Sequence, residues 1–356
     1  MSWILISFLA QFILGSSAVA DKLLLKKSFP NPAGYTFWLG IFGLASVTLL
    51  PFGFVTVSWQ MLGIAFLAGG AFMLGMLFYF FALHASRAGG SIVSISGFSP
   101  IATLVFGSFF LGTLLEPYQL ISFILLVGGG FLLAFLEEKR ARLRTLFFVL
   151  VAAGCFGVSN ILSKYVFDEA NFITGFFWIK VGGVLLVTLF LLYKPWRDAI
   201  LSPRGEQEFR NKWFYIGNRA YAGAGSLLVF YAISLGNPAL VDAMQSIRFL
   251  MVFLGGWLLL HLRFRWKTLL GEFFAFTLIS IAILVLGAGS YFEHTAPYPN
   301  RPIEWGVTFS QKFASELNSN QWQDAYDAIL DDLGVRHLRL ITYWDLVEPT
   351  DDQFDF

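Results

Sequence analysis

The chain alternates between long apolar stretches and short polar connections. Ten stretches reach or approach the ~20 residues that a helix rising 1.5 Å per residue needs to cross ~30 Å of hydrocarbon. They are Trp3–Ala20, Tyr35–Phe54, Met61–Leu83, Ser91–Leu111, Tyr118–Leu136, Thr145–Val166, Phe172–Tyr193, Trp213–Leu235, Ala239–Leu262 and Leu269–Tyr291. In lipid every backbone polar group must find its partner within the segment, so these stretches predict helices. Lipid-facing strands would alternate polar and apolar residues, and these stretches do not. Ala18-Val19-Ala20 before Asp21 has the small-residue spacing of a signal-peptidase site, but Met1-Ser2 supplies no basic residue ahead of it. The first stretch is therefore read as a span.

The first five spans echo the second five. Gly15, Ser17 and Lys22 lie at one offset, 142, from Gly157, Ser159 and Lys164. Phe37-Trp38 answers Phe177-Trp178 at offset 140, and Phe78-Tyr79 answers Phe230-Tyr231 at offset 152. A unit of five crossings is odd, so its second copy must be inverted in the membrane. Loop charges agree. Loops after odd-numbered spans hold 16 Lys and Arg, among them Lys139, Arg140, Arg142 and Arg144, whereas those after even-numbered spans up to the ninth hold only Lys164. The positive-inside rule places the first group in the cytoplasm and both termini outside it.

Composition follows the same division. Apolar residues make up 57% of the 356 and charged residues 13%, against ~45–50% and ~25% in soluble domains. Through Tyr291 the formal charge is +9 and from Phe292 onward it is −8. That break, with Gly287-Ala-Gly-Ser and Pro297-Tyr-Pro299, marks a boundary near residues 288–300. Cys155 is the only cysteine, which excludes an intrachain disulfide and a cysteine metal cluster. It reads as a small packing residue.

Gly90-Ser-Ile-Val-Ser-Ile-Ser-Gly-Phe-Ser-Pro100, then Leu111-Gly112, Glu116-Pro117 and Gly128-Gly-Gly130, resemble the EamA-type, ten-helix group of the drug/metabolite transporter superfamily over residues 1–290. The resemblance implies a central cavity lined by helices of both repeats, with the fifth and tenth helices peripheral. It also implies cytoplasmic termini, which the loop charges oppose. In the second copy Arg248 stands where Pro100 stands in the first, at offset 148.

Ionisable groups inside spans cost at least ~2.5–3.5 kcal/mol each on insertion scales, so they call for a functional reading. Lys180 and Arg248 fall near the middle of their spans, Arg219 about two turns in from a cytoplasmic end, and Asp242 near an outer end. Arg219 can instead snorkel to the interface, and Asp242 can be an interfacial residue or a partner for a basic group. Gln11, Ser17, Ser159, Asn160 and Gln245 are the polar candidates for the same cavity, the bland reading being hydrogen bonds between helices. Three bases against one acid favour an anionic or polar solute. No Gly-rich phosphate loop sits on a strand–helix turn, so no ATP site and no cofactor is expected. The expected partners are a small-molecule substrate and the lipid bilayer, with a homodimer allowed and no nucleic acid.

The tail changes pattern. Ile303–Phe309 and Val335–Thr342 read as strands around a helix over Gln321–Leu333, a βαβ order. Leu333-Gly-Val-Arg-His-Leu-Arg-Leu340, Tyr343-Trp344, Glu348-Pro349 and Phe354-Asp-Phe356 resemble the opening of a (β/α)₈ glycoside hydrolase. In that family the catalytic carboxylates come from later strands, so Glu348 is implied to be a loop residue and no catalytic residue is expected. The sequence thus predicts an all-α membrane protein of ten transmembrane helices in two inverted five-helix repeats, residues 1–140 and 141–291. A linker at 292–300 and a short, incomplete βαβ tail at 301–356 follow. The function it favours is secondary transport across the cytoplasmic membrane. The alternative is a membrane-anchored glycoside hydrolase fragment whose helices serve as the anchor.

Overall fold

The structure is a computed structural model that describes residues 2–27, 31–85, 90–112, 114–137, 143–201, 212–248, 266–295, 306–317, 322–332, 337–341 and 343. The chain divides into two compact units, Met1–Phe292 and Glu293–Phe356.

The first unit is helical. In order it contains α1 (Ser2–Lys27), α2 (Pro32–Phe42), α3 (Trp59–Ala85), α4 (Gly90–Phe110), α5 (Pro117–Glu137), α6 (Leu143–Glu169), α7 (Phe172–Leu189), α8 (Lys194–Leu201), α9 (Lys212–Leu235), α10 (Pro238–Ala243) and α11 (Trp266–Thr295). Two of these continue as tighter 3₁₀ helix, α2 through Gly43–Phe52 and α10 through Met244–Ile247. Each expected segment contains described helix, but the ninth is described only as far as Arg248. Among the described residues, Pro32–Phe52, Trp59–Ala85, Leu143–Glu169, Phe172–Leu192 and Phe273–Phe292 are long and apolar enough to cross a membrane. Shorter apolar helices cover Trp3–Ala18, Phe98–Phe110 and Pro117–Leu133. Asn218, Arg219 and Ser226 make α9 more polar than these. The short α8 falls in what the sequence reads as a basic loop.

Asparagines start three of the helices. The side-chain oxygens of Asn31, Asn171 and Asn237 accept from the backbone N–H groups of Ala33, Thr174 and Ala239 at 2.9, 2.8 and 2.9 Å. Pro32 and Pro238 follow at the first helical position, where a missing N–H costs nothing. Asn31 and Asn171 stand at offset 140, the spacing that relates the two Phe-Trp pairs. Lys164, the one base in an even-numbered loop, lies within α6. Its Nζ pairs with Asp168 at 2.7 Å and donates to the Ser234 carbonyl at 3.2 Å.

Helix packing centres on α3, which lies against both α6 and α7, while α4 packs on α5 and α6 and α1 on α9. The α3–α7 seam is close because it is made of glycine. A Cβ on Gly69 would strike the Ile179 carbonyl and come within 2.6 Å of Gly183 N, and one on Gly182 would strike the Phe66 backbone. Only backbone-to-backbone contact fits there, the arrangement that small residues permit in membranes.

In the second unit β1 (Gly306–Phe309) pairs in parallel with β2 (His337–Leu340), with Gly306 opposite His337 and Phe309 opposite Leu340. Two helices lie between them, α12 (Gln311–Leu317) and α13 (Trp322–Asp331); the sequence anticipates only the second. Buried Phe309 packs against Tyr326, ring centroids 5.3 Å apart. Glu348 and the residues after it lie outside the described residues.

The glycine seam yields a direct contrast. Gly69→Ala should destabilise the helical unit by ~1–3 kcal/mol, the usual cost of overpacking. Gly70→Ala, whose new Cβ meets nothing within 4 Å, should leave thermal unfolding of detergent-solubilised protein unchanged. Equal melting curves for the two variants would contradict the seam.

Candidate functional site

A cavity of about 480 Å³ lies among α1, the α2 arm, α3, α6, α7, α9 and α10. It collects seven of the nine residues the sequence singles out: Ser17, Asn160, Lys180, Arg219, Asp242, Gln245 and Arg248. Gln11 and Ser159 do not line it. Gln11 is buried behind Arg248, whose Nε donates to Gln11 Oε1 at 2.5 Å. The Ser159 hydroxyl is buried without a hydrogen-bond partner among the described residues.

Lys180 reaches the cavity from the middle of α7 and is only 8% exposed. Its Nζ stands 4.6, 4.8 and 5.0 Å from the ring centroids of Phe230, Phe176 and Phe72, and donates to Ser226 Oγ at 3.1 Å. Three ring faces and one hydroxyl replace the water a surface lysine would have. Each such cation–π contact contributes ~0.5–2 kcal/mol, more as the site is drier. No carboxylate lies within 4 Å of this ammonium among the described residues.

Asp242, the one carboxylate of the lining, is held differently. Ser99 Oγ and Thr103 Oγ1, one turn apart on α4, donate to its Oδ2 at 2.7 and 2.6 Å. Asn160 of α6 donates in turn to Thr103 Oγ1 at 3.4 Å. Charge-assisted bonds of this length are the strong ones. They tie α10, α4 and α6 together at one carboxylate. Arg219 is 4% exposed, with its guanidinium 5.1 Å from the Tyr35 ring centroid. It therefore turns into the bundle and stacks on Tyr35. The lining thus holds three cationic groups and one carboxylate, which is bonded by protein hydroxyls and interacts electrostatically with Arg248.

The lysine's aromatic surround is what sequence reasoning misses. Phe230 belongs to the Phe-Tyr pair that marks the repeat, but in an apolar segment nothing distinguishes a ring facing a cation from one facing lipid. Ser99 was available in the Ser-Pro of α4. Thr103 sits one helical turn further on, and that spacing is the signal that could have found it.

Residues 1–135 match the EamA-like transporter family. No curated protein matches the chain. Among solved structures 28 chains match. One of them, a crystal structure of a protein, is 16% identical and covers 82% of this chain and 98% of its own, with a TM-score of 0.58. That likeness is one of fold. The family match over residues 1–135 and the apolar helices together support a multi-pass membrane protein.

Removing both hydroxyls from Asp242, by Ser99→Ala with Thr103→Val, deletes two bonds to a charged acceptor, each worth ~1.5–3 kcal/mol. The double variant should unfold at a clearly lower temperature. Asp242→Asn in the same background should recover part of the loss, because a neutral amide is cheaper to leave unpaired. No recovery would contradict the charged role.

Proposed function

We propose that this protein is a secondary transporter that moves a small anionic or polar metabolite across the cytoplasmic membrane by alternating access. The observation that carries this reading is the cavity inside the helical unit, whose lining brings three bases, Lys180, Arg219 and Arg248, together with one acid, Asp242. Charges buried in a membrane bundle face a cavity or a partner, and they mark solute pathways. An anion that displaces Ser226 from Lys180 would gain a charge-assisted bond in a dry site. Lys180→Met should abolish uptake of the transported anion into proteoliposomes, with Lys180→Arg retaining part of it and both variants unfolding near the wild-type temperature. Uptake that survives Lys180→Met would overturn the assignment.

The same reading takes the ten helical segments as spans in two inverted repeats, with both termini outside the cytoplasm. The pairing of Lys164 with Asp168 supports it, since the one exception to the loop-charge pattern is neutralised locally. A cysteine placed at Asn300 should react with an impermeant maleimide in intact cells; protection there would contradict the orientation.

For the tail we propose the opening of a (β/α)₈ domain. The parallel β1–β2 pair with helix between its strands supports this, since such a barrel begins with parallel strands joined through helix. The acids Asp324, Asp327, Asp331 and Asp332 belong to one short stretch of chain. We assign no catalysis to them.

A further inference from the structure

In the helical unit the α3–α7 seam is closed by glycine, whereas exposed residues of the α2 arm and α9 border the cavity. On α3 and α7 the glycines 69, 182 and 183 bring backbones into contact. At the offsets that relate the two halves of the sequence, 152 and 140, the positions answering Gly69 and Gly182 are Tyr221 on α9 and Phe42 on the α2 arm. Where one seam has glycine, the other has two aromatic rings, and these rings are 42% and 38% exposed.

Phe42, Ala45 and Thr48 of the α2 arm, and Ala220, Gly223 and Ala224 of α9, line the cavity and are exposed at the same time. Residues that do both mark its mouth. Phe42 lies midway along Pro32–Phe52 and Gly223 midway along Lys212–Leu235. A mouth at mid-helix in a bilayer faces hydrocarbon, not water. The two glycines of α9 differ accordingly. A Cβ on Gly225 would press on Ile13 and Leu14 of α1 at 2.8 and 2.9 Å, whereas one on Gly223 would meet nothing within 4 Å. Tyr221 is held aside by Ser16, whose Oγ donates to the phenol at 3.0 Å.

At the inner end of this seam sits Lys180. Its stem runs along Gly43, where an added Cβ would lie 3.7 Å from the lysine Cβ and Cδ, and its Nζ is bonded across to Ser226 of α9. Leu39, Leu49, Leu227 and Val229 complete an apolar wall. The slot is therefore charged at its inner end and greasy toward the lipid.

We infer that the substrate is an anionic amphiphile that enters sideways from the bilayer between α2 and α9, its acidic head at Lys180 and its apolar tail lying in the seam. This inference rests on the transporter reading and adds the substrate class and the route. Neither a neutral lipid nor a second copy of the chain would use the ammonium at the inner end of the slot.

The test uses the full chain in lipid nanodiscs and a series of alkyl carboxylates from butyrate to dodecanoate. Binding is corrected for partition into protein-free discs. Referred to the free acid in water, affinity should rise about fourfold per methylene until the tail fills the seam, from ~0.8 kcal/mol per buried CH₂. Gly223→Phe puts a ring at the mouth, from a position where an added Cβ meets nothing within 4 Å; it should weaken dodecanoate at least tenfold and leave butyrate within twofold. Lys180→Met should weaken both, and dodecanol should bind far less well than dodecanoate. An affinity independent of chain length, or equal loss of short and long acids in Gly223→Phe, overturns lateral entry while leaving transport of a small anion intact. Equal binding of dodecanol and dodecanoate overturns the anionic head. A dimer that Gly223→Phe converts to monomer shows the seam to be an interface between copies, and that also overturns the inference. If no acid of the series binds, the inference fails; the transporter reading fails separately, where uptake survives Lys180→Met.

Discussion

Lys180 carries an ammonium on an apolar helix, where transfer from water to hydrocarbon would cost several kcal/mol if nothing answered it. What answers it is the convergence of three helices. Phe72 comes from α3, Phe176 from α7 itself, and Phe230 together with Ser226 from α9. The rings attract the ammonium electrostatically without supplying a counter-charge. A carboxylate in the same place would have neutralised it. The glycine seam between α3 and α7 is part of this arrangement, because it draws the helices bearing Phe72 and Lys180 together.

The polar contacts of Asp242 and Arg248 follow a complementary logic. A buried ion whose partner is removed leaves an uncompensated charge, which destabilises more than the pair stabilised. Asp242 and Arg248 interact electrostatically, and each is also bonded by neutral groups, Asp242 by Ser99 and Thr103 of another helix and Arg248 by the amide of Gln11. Neutral partners satisfy hydrogen bonds without fixing the net charge of the cavity. They also link segments distant in sequence, with Gln11 lying 237 residues from Arg248.

Much of this was legible in the sequence, for identifiable reasons. Apolar length located the helices because lipid imposes one rule on all of them. Charged residues inside apolar runs located most of the cavity, because their cost allows few other positions. Ser159 and Gln11 show the limit of that logic. A small polar residue in a span is cheap, so its sequence position does not say whether it faces a cavity, another helix or a second side chain. The phenylalanines around Lys180 were illegible for the opposite reason: with 41 in the chain, their type carries almost no information, and only their convergence in space does. In the tail, strand and helix periodicity gave the order of elements but not α12, whose seven residues are too few for a clear repeat.

The α2 arm changes pitch in mid-course, α-helical to Phe42 and 3₁₀ from Gly43 to Phe52. Such runs seldom exceed three or four residues, and this one has ten. A 3₁₀ segment rises ~2.0 Å per residue, against 1.5 Å in an α-helix. The same ten residues rewound as α-helix would be ~5 Å shorter, close to one full turn. They would also rotate relative to α9, since the angular step per residue falls from ~120° to ~100°. The wall of the cavity therefore contains a length of chain whose reach and facing direction are coupled, as in a screw.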